Sequence, residues 1–338
     1  EKDSSVFVDL LAKTSQEAAA QSEGGIVGQG GVGSIFGWSA YANSLGVGAA
    51  DRSTIAYIYI VLLAPTPTGM TPGIVEIDVK RSFELEVDRV IADAVKYLQV
   101  AKKPAEGETG PQTVVFTGDA IGTLLFFALL PSIRGDGIVR QKSILADKLG
   151  ETVASETLSF LDDGLRPGAW ATSLFDAEGV PRRSTPIIEK GKLKSFIWDT
   201  YWANRHGVES TGNASRNLRT GVISIQPSTL VVPQGKGSLE DLISDISSGY
   251  LVSGLQGAHS SNQDTGDFSV VANPCFRIID GELTGCVNGQ MVAGCAFDLL
   301  QKVDKLAGDS RQFLLPGGTA IHGPSISFSG VQAVAKES

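Results

Sequence analysis

Histidine and cysteine are scarce in this sequence, with three of each among 338 residues. Three cysteines cannot build a disulfide framework. The histidines, His206, His259 and His322, each stand alone in a Gly- or Ser-rich stretch. No two lie one helical turn apart, the spacing by which a helix presents two ligands to zinc. A surface or hydrogen-bonded imidazole is the default for each, and a site assembled from all three in space stays open. A Gly-x-Ser-x-Gly nucleophile elbow is also missing. The longest apolar runs, 55–64 and 123–130, fall well short of the roughly 20 residues that span a bilayer. The first residues are acidic and lack an apolar segment, so no secretory leader is expected and the expected compartment is the cytoplasm. Positive charge is in short supply: 28 Lys and Arg against 37 Asp and Glu leave a net charge of -9. That balance argues against a nucleic-acid or anionic-membrane surface. Proline (14 residues) is outnumbered by glycine (40), which suits many tight β-turns.

What remains is the composition of a folded chain, 42% apolar and 19% charged, long enough for two lobes. Residues 6–21 read as a helix. Residues 24–33 contain Gly28-x-Gly30-x-x-Gly33, with Asp51 about 20 positions on, the spacing of a dinucleotide fingerprint. A helix precedes it where a strand is needed, and none opens at Gly33, so a flexible Gly-rich turn is expected instead. Residues 34–45 and 53–64 read as strands. Ile55, Tyr57, Tyr59 and Val61 alternate with Ala56, Ile58, Ile60 and Leu62, so the second strand is expected to be buried on both faces. Residues 82–101 form an amphipathic helix with a stripe of Val87, Val90, Ile91, Ala94, Val95 and Leu98. Residues 104–111, with Pro104, Gly107, Gly110 and Pro111, read as the linker.

Beyond it come a short strand at 113–116 and a strongly apolar helix, 119–130, stopped by Pro131. In this helix Phe126, Phe127, Leu129 and Leu130 are expected in the core. Residues 153–160, 221–232 and 268–286 read as β-rich, and 323–334 as strand-like. Ser238 to Asp241 is a capping box opening a helix that Gly249 ends. Residues 289–306 read as a further helix, with a stripe of Val292, Cys295, Ala296, Leu299, Leu300 and Val303. If Asp280-Gly281 is a two-residue hairpin turn, counting outward sets Cys275 opposite Cys286, about 5.5 Å apart at Cα. Two reduced thiols are expected there. The fold class is α+β: an α/β N-terminal lobe (1–104), then a β-rich C-terminal domain (112–338), an antiparallel barrel or sandwich with packed helices.

The densest information lies in 173–216. Acids, Gly179 and Pro181 make a turn at 176–181. An extended run at 185–189, a tight turn at Lys190-Gly191 and a return strand at 193–198 make a hairpin. Residues 204–216 then form a polar, structured loop. Arg182 and Arg183 beside Asp176 and Glu178 read either as a salt-bridged turn or as a binder of a peptide carboxylate. Glu209, Ser210, Thr211 and Asn213 (ESTGN) read either as loop caps or as the lining of a cavity.

These segments carry a resemblance. SLFDAEGVPRR (173–183), GKLKSF (191–196) and GVESTGNA (207–214) resemble the signature of the TldD/PmbA family, paired protease subunits also called TldD and TldE. ANSLG (42–46), LADKLG (145–150), TGDFS (265–269) and VNGQMVAG (287–294) match in the same order. The resemblance implies a β-rich C-terminal domain preceded by an α/β domain, with roughly the first hundred family residues missing here. In the TldD branch an apolar helix carries H-E-x-x-x-H between Leu-Leu and Gly-Asp. Here Leu124-Leu125 and Gly135-Asp136 flank the same span, with Phe126 for the first His, Phe127 for the Glu and Pro131 for the second His. The branch's third ligand is a Cys near the C-terminus, and no Cys follows Cys295. The chain thus resembles the PmbA/TldE branch, which lacks the zinc motif. No cofactor is expected. The implied role is a non-catalytic subunit supporting proteolysis of unfolded or short peptides. The implied partner is a zinc-bearing TldD-like subunit in a heterodimer, or a second copy in its absence. Two other roles stay open: a hydrolase with an unrecognised site of its own, and a stand-alone peptide-binding protein.

Overall fold

The computed structural model describes residues 3–67 and 69–336. The first helix is α1 (Ser4–Gln21), whose first turn is capped by Asp3 accepting the Ser5 N–H at 3.0 Å. β1 (Ile26–Ala42) and β2 (Gly48–Leu63) then form one long antiparallel hairpin, and the Ile74–Lys80 strand pairs on the far side of β2. The expected Gly-rich turn at 24–33 is therefore mostly strand. The missing side chains make room rather than flexibility. A Cβ on Gly31 would lie 2.6 Å from the Tyr59 ring, and one on Gly33 would lie 2.9 Å from the Tyr57 hydroxyl. Bare backbone lets both rings lie across β1. β2 is not buried on both faces as expected: Ala56, Ile58, Ile60 and Leu62 are buried, while Ile55, Tyr57, Tyr59 and Val61 are only half-buried.

Helix α2 (Val87–Ala101) buries Val90, Ile91, Ala94, Tyr97, Leu98 and Ala101. Its stripe does more than cover β2. Tyr97 stacks on Phe276 at 5.4 Å, and one apolar cluster joins Leu98 to Val115, Leu251, Phe276 and Ile278 of the C-terminal part. Within 104–111, Pro104–Ala105 pairs in parallel with Cys286 and Val287.

The C-terminal part holds two large sheets. The first runs in the order Leu255–Gln256, Asp267–Ala272, Met291–Cys295, Ile326–Val334, Gly110–Phe116, Ser248–Val252, Cys275–Ile279, Glu282–Val287 and Pro104–Ala105, with Val303–Leu306 beside Ile326–Val334. The second runs Lys192–Leu193, Ser184–Glu189, Phe160–Asp163, Thr229–Val231, Ala320–Gly323 and Arg311–Leu314. Most pairings are antiparallel. Helix α3 (Gly118–Ala128) packs against strands of both sheets and sits in their common core. It stops before Pro131, and Leu130–Ile133 continues as a 3-10 turn. The short helices α4 (Gly135–Val139) and α5 (Thr200–His206) follow. Helix α6 (Leu239–Ser244) carries the expected capping box, but ends before Gly249 because Ser248–Val252 is a strand. Among the described residues no helix is long and apolar enough to cross a membrane.

Other expectations differ in detail. Residues 289–306 are not one helix. Met291–Cys295 is a strand, α7 covers only Ala296–Gln301, and Val303–Leu306 is a strand again. Pairing of Met291–Cys295 with Asp267–Ala272 and Ile326–Val334 outweighs the helical spacing of its apolar residues. Of 153–160, only Phe160 lies in a strand. The Lys190-Gly191 turn has both residues at positive φ, as a type I′ turn needs, yet its return strand is just Lys192–Leu193. Part of the expected polar loop at 204–216 is helix α5 and the strand Ala214–Arg216. Asp280-Gly281 also turns as expected, with Ile279 facing Glu282. A bulge at Thr284 then sets Arg277 opposite Gly285 and Phe276 opposite Cys286, so Cys275 and Cys286 are out of register by one. Both are free thiols, and burial raises the Cys275 thiol pKa far above its ordinary value.

Candidate functional site

Two places hold the residues singled out in the sequence: the α3 segment with Phe126 and Phe127, and the loops around ESTGN. On α3, Phe126 and Phe127 are half-buried, packed edge-to-face with centroids 5.0 Å apart. Leu129 and Leu130 are fully in the core, as expected, but the two phenylalanines lie at its margin. Pro131 stands in the 3-10 turn after the helix. None of the three side chains offers a lone pair to a metal, and none can take a proton from water. They do not fit a zinc site. Among the described residues no cluster of three or more His, Cys, Asp and Glu could hold a metal ion.

The histidines lie on separate elements. His206, at the end of α5, stacks on Trp198 at 4.9 Å. His259, in the turn Ala258–Ser260, sits beside Phe127 at 6.4 Å. His322 lies in the strand Ala320–Gly323 opposite Gln312. Burial, helped by Arg166, pushes its pKa down to about 4, so this imidazole is neutral near pH 7.

The second place is a closed polar network. Asp176 accepts the N–H groups of Glu178 (2.9 Å) and Val180 (3.0 Å) with one carboxylate oxygen, and that of Ala214 (2.9 Å) with the other. This folds the 176–180 turn and ties it to ESTGN. Asp162 is wholly buried. It accepts from Asn213 Nδ2 (2.5 Å), Ser228 N–H (2.7 Å) and Ser228 Oγ (2.9 Å). Burial raises its pKa even so, and these hydrogen bonds and Arg182 oppose the rise. Arg182 donates to the Gly212 carbonyl (2.7 Å) and to Ser173 Oγ (3.2 Å). Thr211 Oγ accepts the Trp198 N–H at 2.6 Å and donates to Asn213 Oδ1 at 2.6 Å, while Ser210 Oγ donates to the Trp198 carbonyl at 3.2 Å. Glu178 and Asp199 both serve the first turn of α5, accepting from Thr200 N–H (2.8 Å) and Trp202 N–H (2.8 Å).

The structure therefore brings Arg182, Ser210, Thr211 and Asn213 together and turns their hydrogen-bonding groups inward. It leaves Arg183 and Glu209 exposed. Asp162 and Ser228 escaped sequence reasoning because neither stands in a recognisable motif, and Asp162 lies 51 residues from Asn213 along the chain.

This architecture, two sheets around an apolar helix with the ESTGN loop stapled beside them, matches a known family. The model for the PmbA/TldA metallopeptidase C-terminal domain matches residues 109–335. The chain belongs to the TldD/PmbA family, on its TldE-like branch. The crystal structure of TldE from Thermococcus kodakarensis is similar to it with a TM-score of 0.94 at 36% identity, covering 99% of this chain and 75% of that one. The metalloprotease PmbA homologue of Haemophilus influenzae is 28% identical over 308 residues, 88% of this chain and 64% of that protein. A metalloprotease of Methanothermobacter thermautotrophicus is 32% identical over 220 residues, 64% of this chain and 46% of that protein. The chain thus spans less than two thirds of the length of these curated relatives.

Proposed function

We propose that this chain is the non-catalytic, TldE-like subunit of a two-subunit metalloprotease, working in the cytoplasm on unfolded or short peptides. The observation that carries this reading is the Phe126, Phe127 and Pro131 set on and after α3, where a catalytic subunit needs two metal ligands and a base. The zinc, the water activation and the scissile bond then belong to a TldD-like partner. This chain supplies a rigid wall beside them. The inward-facing network of Asp162, Arg182, Thr211 and Asn213 supports that role, because it fixes the loop that carries exposed Glu209 and the turn that precedes exposed Arg183. Those two charges are the groups available to a peptide's ends or polar side chains.

The test is co-expression with an H-E-x-x-x-H paralogue from the same genome. The two chains should copurify, and chelator-sensitive cleavage of an unfolded peptide should need both. Tag-free chain alone carrying about one zinc, or cleaving the peptide alone, would overturn the proposal. Failure to find or bind any such paralogue would favour a homodimer or a stand-alone peptide-binding protein.

A further inference from the structure

The outer half of the β1–β2 hairpin leaves one strand edge open. β1 is the end strand of its sheet and, among the described residues, pairs only with β2. At the hairpin's end the Asn43 N–H donates to the Val47 carbonyl at 3.1 Å. Pairs in an antiparallel ladder alternate between hydrogen-bonded and non-hydrogen-bonded. Tyr41, Ser39, Gly37 and Ile35 therefore turn their N–H and C=O groups toward β2. Those of Ser34, Phe36, Trp38 and Ala40 point to the free edge. The side chains of these four share a face with Arg52 and Thr54, and that face is open, with Phe36 65% and Trp38 72% exposed. The opposite face rests on the chain's own 169–179 segment. There Asp51 accepts the Leu174 N–H at 2.9 Å, and a Cβ on Gly179 would lie 2.4 Å from the Tyr41 ring. Arg81, just after the Ile74–Lys80 strand, donates to the Ala169 carbonyl at 2.9 Å. The arm is thus held in place with its edge outward.

Exposed edges are ordinarily guarded by charge, proline, bulges or short length. The outer half of β1 has none of these. The strand is 17 residues long, carries no charged residue and no proline, and its one register shift, at Val27/Gln29, lies at its base. On a chain of net charge -9, this neutral strip is where a second copy meets no electrostatic opposition. The strand is also complementary to itself. Set antiparallel about a twofold axis at Gly37, Phe36 of one copy faces Trp38 of the other and Ser34 faces Ala40. The axis passes where neither copy has a side chain. The four free residues of each copy then exchange hydrogen bonds, and each aromatic ring gains an aromatic cross-strand neighbour. Arg52, beside Trp38, stands at the outer end of its row, away from its twin. A contact of this isologous kind closes at two copies. We propose that the β1 edge is a homodimer interface, in which a second copy of the chain adds its β1 to β1 and two three-stranded sheets become one of six strands. This pairing needs no zinc-bearing partner, so it stands or falls apart from the subunit reading.

The paired edge is small. A Phe or Trp ring buries about 150–250 Å² when wholly covered. Two of each, with the backbone between them, reach only the lower end of specific interfaces, about 1,000 Å². Water already serves the free N–H and C=O groups, so the new hydrogen bonds fix the register more than they add affinity. A dissociation constant in the micromolar range is expected.

The experiment is sedimentation velocity of the full chain from about 1 to 100 μM, a span that brackets such an affinity. The mass should rise from 35.4 kDa toward twice that value. Phe36→Lys with Trp38→Lys sets like charges against each other beside the axis and guards the edge. Both side chains are mostly exposed, so this double variant should melt like wild type and stay monomeric at every concentration. A wild-type chain monomeric throughout, or a dimer that survives the double variant, would overturn the proposal. The register has its own readout. In a Cys295→Ser background, Gly37→Cys should form an interchain disulfide under mild oxidation, since the two positions face each other as a non-hydrogen-bonded pair about 4.5 Å apart at Cα. Leu45→Cys, 88% exposed at the hairpin tip and far from the axis, should stay reduced. No disulfide in Gly37→Cys, or one that forms as readily in Leu45→Cys, would also refute the pairing.

Discussion

Replacing Asn213 with Ala separates a structural staple from a functional lining. The Asn213 side chain makes three hydrogen bonds: Nδ2 to Asp162 at 2.5 Å, Nδ2 to the Gln226 carbonyl at 3.1 Å, and Oδ1 from Thr211 Oγ at 2.6 Å. The first goes to a wholly buried carboxylate, the kind worth about 1.5–3 kcal/mol. The other two are neutral, worth about 1 kcal/mol each. Removal also strands one Asp162 oxygen, which among the described residues accepts from Asn213 alone, while Ser228 continues to serve the other. Thr211 keeps the Trp198 carbonyl as an alternative acceptor at 3.1 Å, which softens its loss. The expected cost is about 3–5 kcal/mol. Urea denaturation followed by far-UV circular dichroism reads it as a lower midpoint with an unchanged slope. A cost below about 1 kcal/mol would refute the reasoning and show that water already serves Asp162 through an open loop. Asn213→Asp is the sharper companion. It sets a second carboxylate against Asp162 and should destabilise at least as much, more at pH 8 than at pH 5. The exposed neighbours behave otherwise: Glu209→Ala and Arg183→Ala should change stability by no more than about 0.5 kcal/mol. Any loss of peptide processing in those variants is then a loss of function.

Stability should also fall as pH rises from 5 to 8. Glu76 and Asp119 have folded pKa values of about 7 and about 6, above their ordinary 4.5 and 3.8, so their contribution is full below the ordinary values and is lost as pH climbs through the folded ones. Glu76→Gln should flatten that slope in melting curves, and an unchanged slope would count against burial of Glu76 as its source. A thiol reagent on native protein should modify Cys295, the only half-exposed cysteine, quickly, and should reach buried Cys275 and Cys286 only after unfolding. Fast labelling of two or three thiols would contradict the burial. The triple replacement Phe126→His, Phe127→Glu and Pro131→His should bind metal weakly and cleave nothing alone, since it restores two ligands but no third. Chelator-sensitive cleavage by that variant would point to a ligand already in place.

What the sequence revealed, it revealed through local chemistry. The turns at Lys190-Gly191 and Asp280-Gly281 need positive φ and have it, and the Ser238–Asp241 box satisfies its own helix end. The apolar helix α3 was legible from composition and its stopping proline. The errors came where distant partners decide. Glycines in β1 look like a turn until Tyr57 and Tyr59 are laid across them. The stripe at 289–306 suits a helix, yet its ends are claimed by neighbouring strands. The bulge at Thr284 cannot be counted from the turn outward. At ESTGN the polar density was visible, but whether it faces a cavity or a buried carboxylate depends on Asp162, about 50 residues earlier. Glu76, in the Ile74–Lys80 strand, and Asp119, in α3, share no sequence pattern.

The stacking of Tyr97 on Phe276 has a consequence for how this molecule comes apart. Helix α2 and the sheet beneath it share one apolar cluster, with Leu98, Val115, Leu251 and Ile278 in it. Neither side can leave without baring the other to water, and Pro104–Ala105 is itself stitched to the edge of that sheet. Heat should therefore melt the chain in a single calorimetric peak. A fragment beginning at residue 112 would carry a bare greasy face where α2 had lain. It should recover solubility when the first 104 residues are supplied as a separate peptide, so that the two pieces behave as halves of one folding unit.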